Sequence, residues 1–270
     1  MSSTGAIGVA VVQTPAVSTS AEAALDHLDT VVAQLGEQGA DVVVLPELAV
    51  TGYDLTLDYP AIAEATTELT TARLTALAVR TQTTVVTAVP RLDTSGRLHN
   101  CSLVLTADGR EHRGAKRYLW GGERAVFQAG DASGLLVPTA VGTVGVVICY
   151  EAGFPETVRE LAVAGADVIA VPAAFGRARR HIWQLLTVSR AVENGCIVAA
   201  AGLCGENGQG VAFAGHSTVV DPRGTRLVEL GDTPDAAVVH VPAGAIEQAR
   251  AELPYLADLQ RMSRSRVTAS

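Results

Sequence analysis

The sequence has no apolar run approaching the roughly 18 residues needed to cross a bilayer. Met1–Thr4 leads into a short Val-rich run without the basic start and ordered regions of a signal peptide. A cytoplasmic protein with no membrane partner is therefore expected. No CxxC pair occurs among Cys101, Cys149, Cys196 and Cys204, so neither a zinc ribbon nor a redox pair is indicated. His27, His99, His112, His181, His216 and His240 are scattered without an HxxxH, and no protein metal site is expected. Basic residues are in deficit, 20 Lys plus Arg against 28 Asp plus Glu, and a formal charge of -8 disfavours nonspecific nucleic-acid binding. A local exception, Arg177, Arg179 and Arg180, reads as a solvated or ion-paired helix start. Low-complexity stretches are also missing. With 48% hydrophobic and 18% charged residues in 270, the chain can bury a sizeable core as one large domain or two small ones.

What is present is a strand, a helix and a strand, written twice. Ile7–Gln13 is a β-branched run, and Thr19 with Glu22 forms a capping-box pattern. A helix follows, with Ala24, Leu25, Leu28, Val31, Val32 and Leu35 on one face; Ala40–Pro46 is then a fully apolar strand, as one buried on both faces reads. The second copy runs Val144–Cys149, Pro155–Ala164 and Ala166–Pro172. Ala40, Asp41, Val42 and Pro46 recur as Ala166, Asp167, Val168 and Pro172, a constant offset of 126. A repeated βαβ unit points to an α/β fold. Between the copies a helix is predicted over about Glu68–Gln82, a strand over Thr84–Pro90, and a hairpin turning after Cys101–Leu105. The segment Gly114–Gly130 loses periodicity, a mark of functional loops. Later elements are a helix over about His181–Glu193, a strand over Cys196–Ala201, a hairpin over Ser217–Leu230 and a strand over Val238–Val241. From Pro254 onward an exposed tail or subunit arm carrying Arg261, Arg264 and Arg266 is expected.

Ligands in layered α/β proteins gather at the carboxyl ends of strands. There the first copy offers Pro46 and Glu47, and the second Cys149, Tyr150 and Glu151; Ala173 stands where the repeat would put a second Glu47. A carboxylate and a thiol at neighbouring strand ends form a base and nucleophile pair. A thiol with a pKa of about 8.5 is mostly protonated at neutral pH and needs such a base or a nearby cation. Attack on an amide or nitrile carbon builds negative charge, which Lys116 in the aperiodic loop and the Tyr150 N–H are positioned to meet. Glu123 could hold the ammonium or shuttle a proton. Taken singly, each residue reads as well as core or solvated surface, and Cys101, Cys196 and Cys204 read as core. Gly215–Val219 lacks the second glycine of GxSxG, position 213 breaks a GxGxxG begun at Gly208, and no GxxxxGK[ST] occurs.

PELAVTGYD (Pro46–Asp54), AKRYLWGGERAVFQAG (Ala115–Gly130), VGVVICYEAGFPE (Val144–Glu156), RAVENG (Arg190–Gly195) and GHSTVVDPRG (Gly215–Gly224) together resemble the nitrilase superfamily of carbon–nitrogen hydrolases, in order and across nearly the whole chain. The resemblance implies a four-layer αββα sandwich over residues 1–257, with 258–270 a C-terminal tail at a subunit interface. It implies a Glu–Lys–Cys triad at Glu47, Lys116 and Cys149, the family's further Glu at Glu123, no cofactor, and a homodimer or larger assembly. PELAVTGYD and Leu253–Leu256 look most like the aliphatic amidase branch, so the expected reaction is hydrolysis of small aliphatic carboxamides through a Cys thioester. A nitrilase, or an omega-amidase or N-acyl-amide hydrolase, is the rival reading, and a noncatalytic binding protein a distant one. Departures are the seven-step spacing from Lys116 to Glu123 and Glu151 where Asp is common. Tyr53, Trp120, Tyr150, Glu151 and Phe175 are expected to line the substrate pocket.

Overall fold

Alternation along each β-branched run decides the layering, because successive side chains of a strand face opposite ways. The computed structural model describes residues 5–262. The first half contains β1 (Ala6–Pro15), α1 (Ala21–Glu37), β2 (Val42–Glu47), α2 (Tyr59–Thr81), β3 (Thr84–Leu92), β4 (Leu98–Leu105) and β5 (Glu111–Ala115). After a short helix α3 (Glu123–Val126) come β6 (Leu135–Thr139), β7 (Gly142–Val146), α4 (Pro155–Val163), β8 (Val168–Ala173), α5 (Arg180–Asn194) and β9 (Ile197–Glu206). The chain closes with β10 (Ala212–Ala214), β11 (Thr218–Val220), β12 (Arg226–Glu229), β13 (Asp235–Pro242), α6 (Ala245–Glu252) and α7 (Tyr255–Met262).

Two mixed sheets result. One runs β5-β4-β3-β2-β1-β13 and the other β6-β7-β8-β9-β11-β12; they are joined where Thr14 and Pro15 of β1 pair with Leu203 and Cys204 of β9. Val9, Val11, Val42, Val44 and Val86 of the first sheet pack against Val144, Val168, Ala170, Ile197 and Ala199 of the second. The opposite faces are covered by helices. Leu25, Leu28 and Val32 of α1 and Leu74 and Leu77 of α2 sit on Ala10, Val43 and Val85. Val158 and Leu161 of α4 and Trp183 of α5 sit on Ile169, Val171 and Val198. These are the four layers of an αββα sandwich, and the two βαβ copies fall in different sheets.

Several local expectations are corrected. Ser20, not Thr19, caps α1, its hydroxyl accepting the Ala23 N–H at 3.1 Å. α2 begins nine residues before Glu68, where Asp58 accepts the Ala61 N–H and Pro60 occupies the first turn. From Pro254 the described chain forms the helix α7, largely exposed, with Leu256 packed against the core that α5 covers. Residues 263–270, with Arg264 and Arg266, lie outside the described residues. Among the described residues no helix is long and apolar enough to cross a membrane.

Candidate active site

Two strand ends turn abruptly at the mouth of the sandwich. The register between β2 and β3 shifts ahead of Glu47, and the next residue, Leu48, is left-handed at φ 55°. β7 ends at Val146, three residues short of Cys149, which is itself left-handed at φ 51° and opens a 3-10 turn, Cys149–Gly153. Such backbone costs a non-glycine residue about 1–2 kcal/mol and persists only where the surroundings enforce it. Glu47 and Cys149 therefore do not end neighbouring strands of one sheet. They lie on facing sheets and meet across the sandwich.

Glu47 and Lys116 are completely enclosed. Lys116 Nζ donates to Glu47 Oε1 at 2.7 Å and to Glu123 Oε1 at 2.9 Å. Asn100 Nδ2 also donates to Glu47 Oε1, at 2.7 Å, and the Ala174 N–H donates to Glu47 Oε2 at 3.0 Å. The Tyr53 hydroxyl donates to the same Glu123 Oε1 at 2.7 Å, and the Trp120 N–H donates to Glu123 Oε2 at 2.8 Å. Burial raises the Glu47 pKa above the ordinary carboxylate range, with Lys116 opposing the shift. For Lys116 burial works the other way, but the charges of the carboxylates Glu47 and Glu123 outweigh it and hold the group as an ammonium. Burial and then the charge of Glu47 push the Cys149 thiol well above its usual value, while Lys116 and the Ala174 N–H pull the opposite way. The resting sulfur is thus a thiol, coupled electrostatically to a carboxylate with raised proton affinity and to an ammonium.

Cys149 faces a cavity of about 360 Å³, walled by Trp120, Tyr150, Phe175, Arg179, Ile182 and Leu186. The Trp120 and Tyr150 rings lie 4.8 Å apart, and Phe175 packs on Trp183. Tyr53 sits behind this wall with its ring edge-on to Phe213. Burial, followed by the charges of Glu47 and Glu123, keeps its hydroxyl protonated. Glu151 departs from expectation. It is buried away from the cavity, accepting the N–H groups of Ile148 and Arg117 at 2.7 Å each and of Tyr118 at 3.3 Å. Its extra methylene reaches down to the turn, not out to a rim, so one carboxylate ties the backbone ahead of Cys149 to the backbone just after Lys116.

A profile of the carbon–nitrogen hydrolase family matches residues 8–251. The chain belongs to that family. This hydrolase is 29% identical over 225 residues to the 2-oxoglutaramate amidase of Bacillus subtilis, covering 82% of the chain and 86% of the relative. It is 32% identical over 237 residues to a deaminated glutathione amidase of Synechocystis sp., covering 81% and 86%. Among solved structures, the amidase from Nesterenkonia sp. AN1, captured with acrylamide added at its active-site cysteine, superposes with a TM-score of 0.81 at 30% identity, covering 92% of this chain and 98% of that one. The chain is accordingly an amidase-type enzyme of the nitrilase superfamily.

Sequence reasoning passed over two residues of the hydrolase site. Asn100 is fully buried in β4 on the face turned toward the second sheet, and its only marker was a polar side chain in an apolar strand that had to find a partner. Arg190 is buried on α5 and donates to the Ala152 and Gly153 carbonyls of the Cys149 turn at 2.8 and 3.2 Å. Glu193 accepts from it at 2.9 Å.

Proposed function

We propose that the chain hydrolyses small aliphatic carboxamides to the carboxylic acid and ammonia through a thioester on Cys149. The observation that carries this reading is the buried Glu47–Lys116–Glu123 cluster coupled to a thiol that faces a cavity large enough for a small acyl chain. Glu47 takes the thiol proton as sulfur attacks the carbonyl carbon. Its raised proton affinity makes it a better base than an ordinary carboxylate. Lys116 and the Tyr150 N–H stabilise the oxyanion. The amide nitrogen leaves as ammonia with the proton held on Glu47, and the thioester remains. A water then gives a proton to Glu47 and attacks the thioester; the acid departs and the sulfur recovers its proton. Glu123 keeps Lys116 in register, itself fixed by Tyr53 and the Trp120 N–H. The mostly apolar walls support an aliphatic chain. The exposed Tyr255 and Leu259 on α7 support a homodimer, and four free cysteines support a reducing, cytoplasmic setting.

The test is ammonia release from a panel of short amides and their matching nitriles. Turnover of the amides above the nitriles supports the reading. Preference for nitriles would make the enzyme a nitrilase, and no release from any member would overturn the small-aliphatic reading in favour of an omega-amidase, an N-acyl-amide hydrolase or the binding-protein alternative.

A further inference from the structure

Lys116, Glu123 and Cys149 are each followed in the chain by a residue that lines a second cavity. Arg117, Arg124 and Tyr150 meet there around about 370 Å³, together with Tyr118, Phe127 and Phe154. Cys149 does not reach it. Tyr150 belongs to both cavities, so its side chain stands between them. Most arginines of the chain reach a carboxylate, but among the described residues Arg117 and Arg124 do not. Arg117 Nη1 donates to the Ser133 hydroxyl at 2.9 Å, and its guanidinium lies 5.3 Å from the centroid of the Tyr118 ring. No hydrogen bond or ion pair holds the Arg124 side chain among the described residues. The ring floor is itself fixed: Tyr118 stacks on Phe154 at 3.9 Å, and Phe154 meets Tyr150 edge-on at 5.2 Å.

A guanidinium presents its N–H groups as a planar fork that matches the oxygens of a phosphate with paired hydrogen bonds. Two such forks share this cavity, and no acidic side chain lines it, so the charge they call for is that of a dianion. The aromatic wall adds apolar surface beside the charge, which suits an organic group carried on the phosphate better than the bare ion. The chain as a whole, at a formal charge of -8, repels anions, so one that is retained is retained locally. Both arginines are exposed, which makes the attraction modest and sensitive to salt.

We infer that this second cavity is a binding site for the dianion of a small phosphate monoester, with Arg117 and Arg124 holding the phosphate and the aromatic wall its organic group. The site is separate from the cavity that holds Cys149 and does not depend on the reaction carried out there. Isothermal titration calorimetry of the full chain tests it, at low ionic strength and about pH 7.5, where the second phosphate proton is lost. The probes are phenyl phosphate, inorganic phosphate and phenol. Phenyl phosphate binds at one site and more tightly than inorganic phosphate, and phenol gives no measurable binding. Arg117→Gln and Arg124→Gln each weaken phenyl phosphate about 5-fold or more, the range for an exposed but forked charge contact. Arg179→Gln, in the Cys149 cavity, leaves that Kd unchanged. Absence of binding by both phosphates, or a Kd indifferent to Arg117→Gln and Arg124→Gln, overturns the inference. So does a loss caused by Arg179→Gln, which would put the anion beside Cys149. Inorganic phosphate binding as tightly as phenyl phosphate overturns the assignment to a monoester.

Discussion

Replacing Lys116 by Met removes the one cation from a sealed cluster and keeps most of its volume. Glu47 Oε1 and Glu123 Oε1 both lie within 2.9 Å of the Lys116 nitrogen, with no solvent to screen them once it is gone. Breaking a buried ion pair from one side costs about 3–5 kcal/mol, since the surviving charge is left unpaired. Here two carboxylates survive, and one must take up a proton to relieve the repulsion. The pH dependence then moves from the alkaline range into the acid-to-neutral range. In the wild type the Lys116 pKa is raised, so its contribution is fully present below the unfolded value near 10.5 and is lost as pH rises through the folded value. In K116M the stability at neutral pH is the depressed quantity, and it recovers as pH falls toward the carboxylate range. Urea denaturation of both proteins at several pH values between about 5 and 8 reads this directly, and ammonia release should be lost in parallel. If K116M matched the wild type within 1 kcal/mol at pH 7.5 with no gain on acidification, taking about 1 kcal/mol as an ordinary mutational effect, the charge accounting of the cluster would be wrong.

The acid limb of kcat/KM should have a midpoint above the ordinary carboxylate value of 4.5, because Glu47 must be ionised to act and burial raises its pKa. Asn100→Leu, which removes a hydrogen bond that favours the ionised form, should move that limb higher still; a pH profile of the two proteins checks both shifts. The same raised value means that ionised Glu47 opposes folding: its stability contribution is present below 4.5 and is lost as pH rises through the folded value. Glu151→Gln turns an acceptor toward donors, orphans at least one buried backbone N–H, and should cost about 1–3 kcal/mol together with a fall in kcat. Thermal unfolding and steady-state kinetics measure the two losses, and an unchanged kcat would show that Glu151 does not hold the Cys149 turn.

The duplicated α/β frame was legible in the sequence from the two βαβ runs, whereas the four-layer sandwich came from the family resemblance, because strands buried on both faces are apolar throughout. Val9, Val11, Val42 and Val44 alternate with Ala10, Val12, Val43 and Leu45, and that alternation divides them between the central and outer cores. Glu47 and Cys149 were legible as strand-end residues and Lys116 as a cation in the aperiodic loop, and all three more sharply through the motifs around them. Three things were not. The first turns of α2 carry Glu64, Thr66 and Thr67, which blur a helical stripe, and the start is set by the Asp58 cap and Pro60. The direction of the Glu151 side chain depends on three backbone N–H groups, two of them from the distant Arg117–Tyr118 segment, which no local pattern records. Whether Arg177 and Arg180 are paired depends on where Glu206 and Asp232 fall in space, and both lie outside their own segment.

The account stands most directly on the sulfur of Cys149 carrying the acyl group. Rapid acid quench during turnover of an amide, followed by mass spectrometry of the Cys149 peptide, should find it heavier by the acyl group, and Cys149→Ala should fold normally, carry no adduct and release no ammonia. Sustained hydrolysis by Cys149→Ala, with the wild-type Cys149 peptide unmodified at every time point, would contradict it.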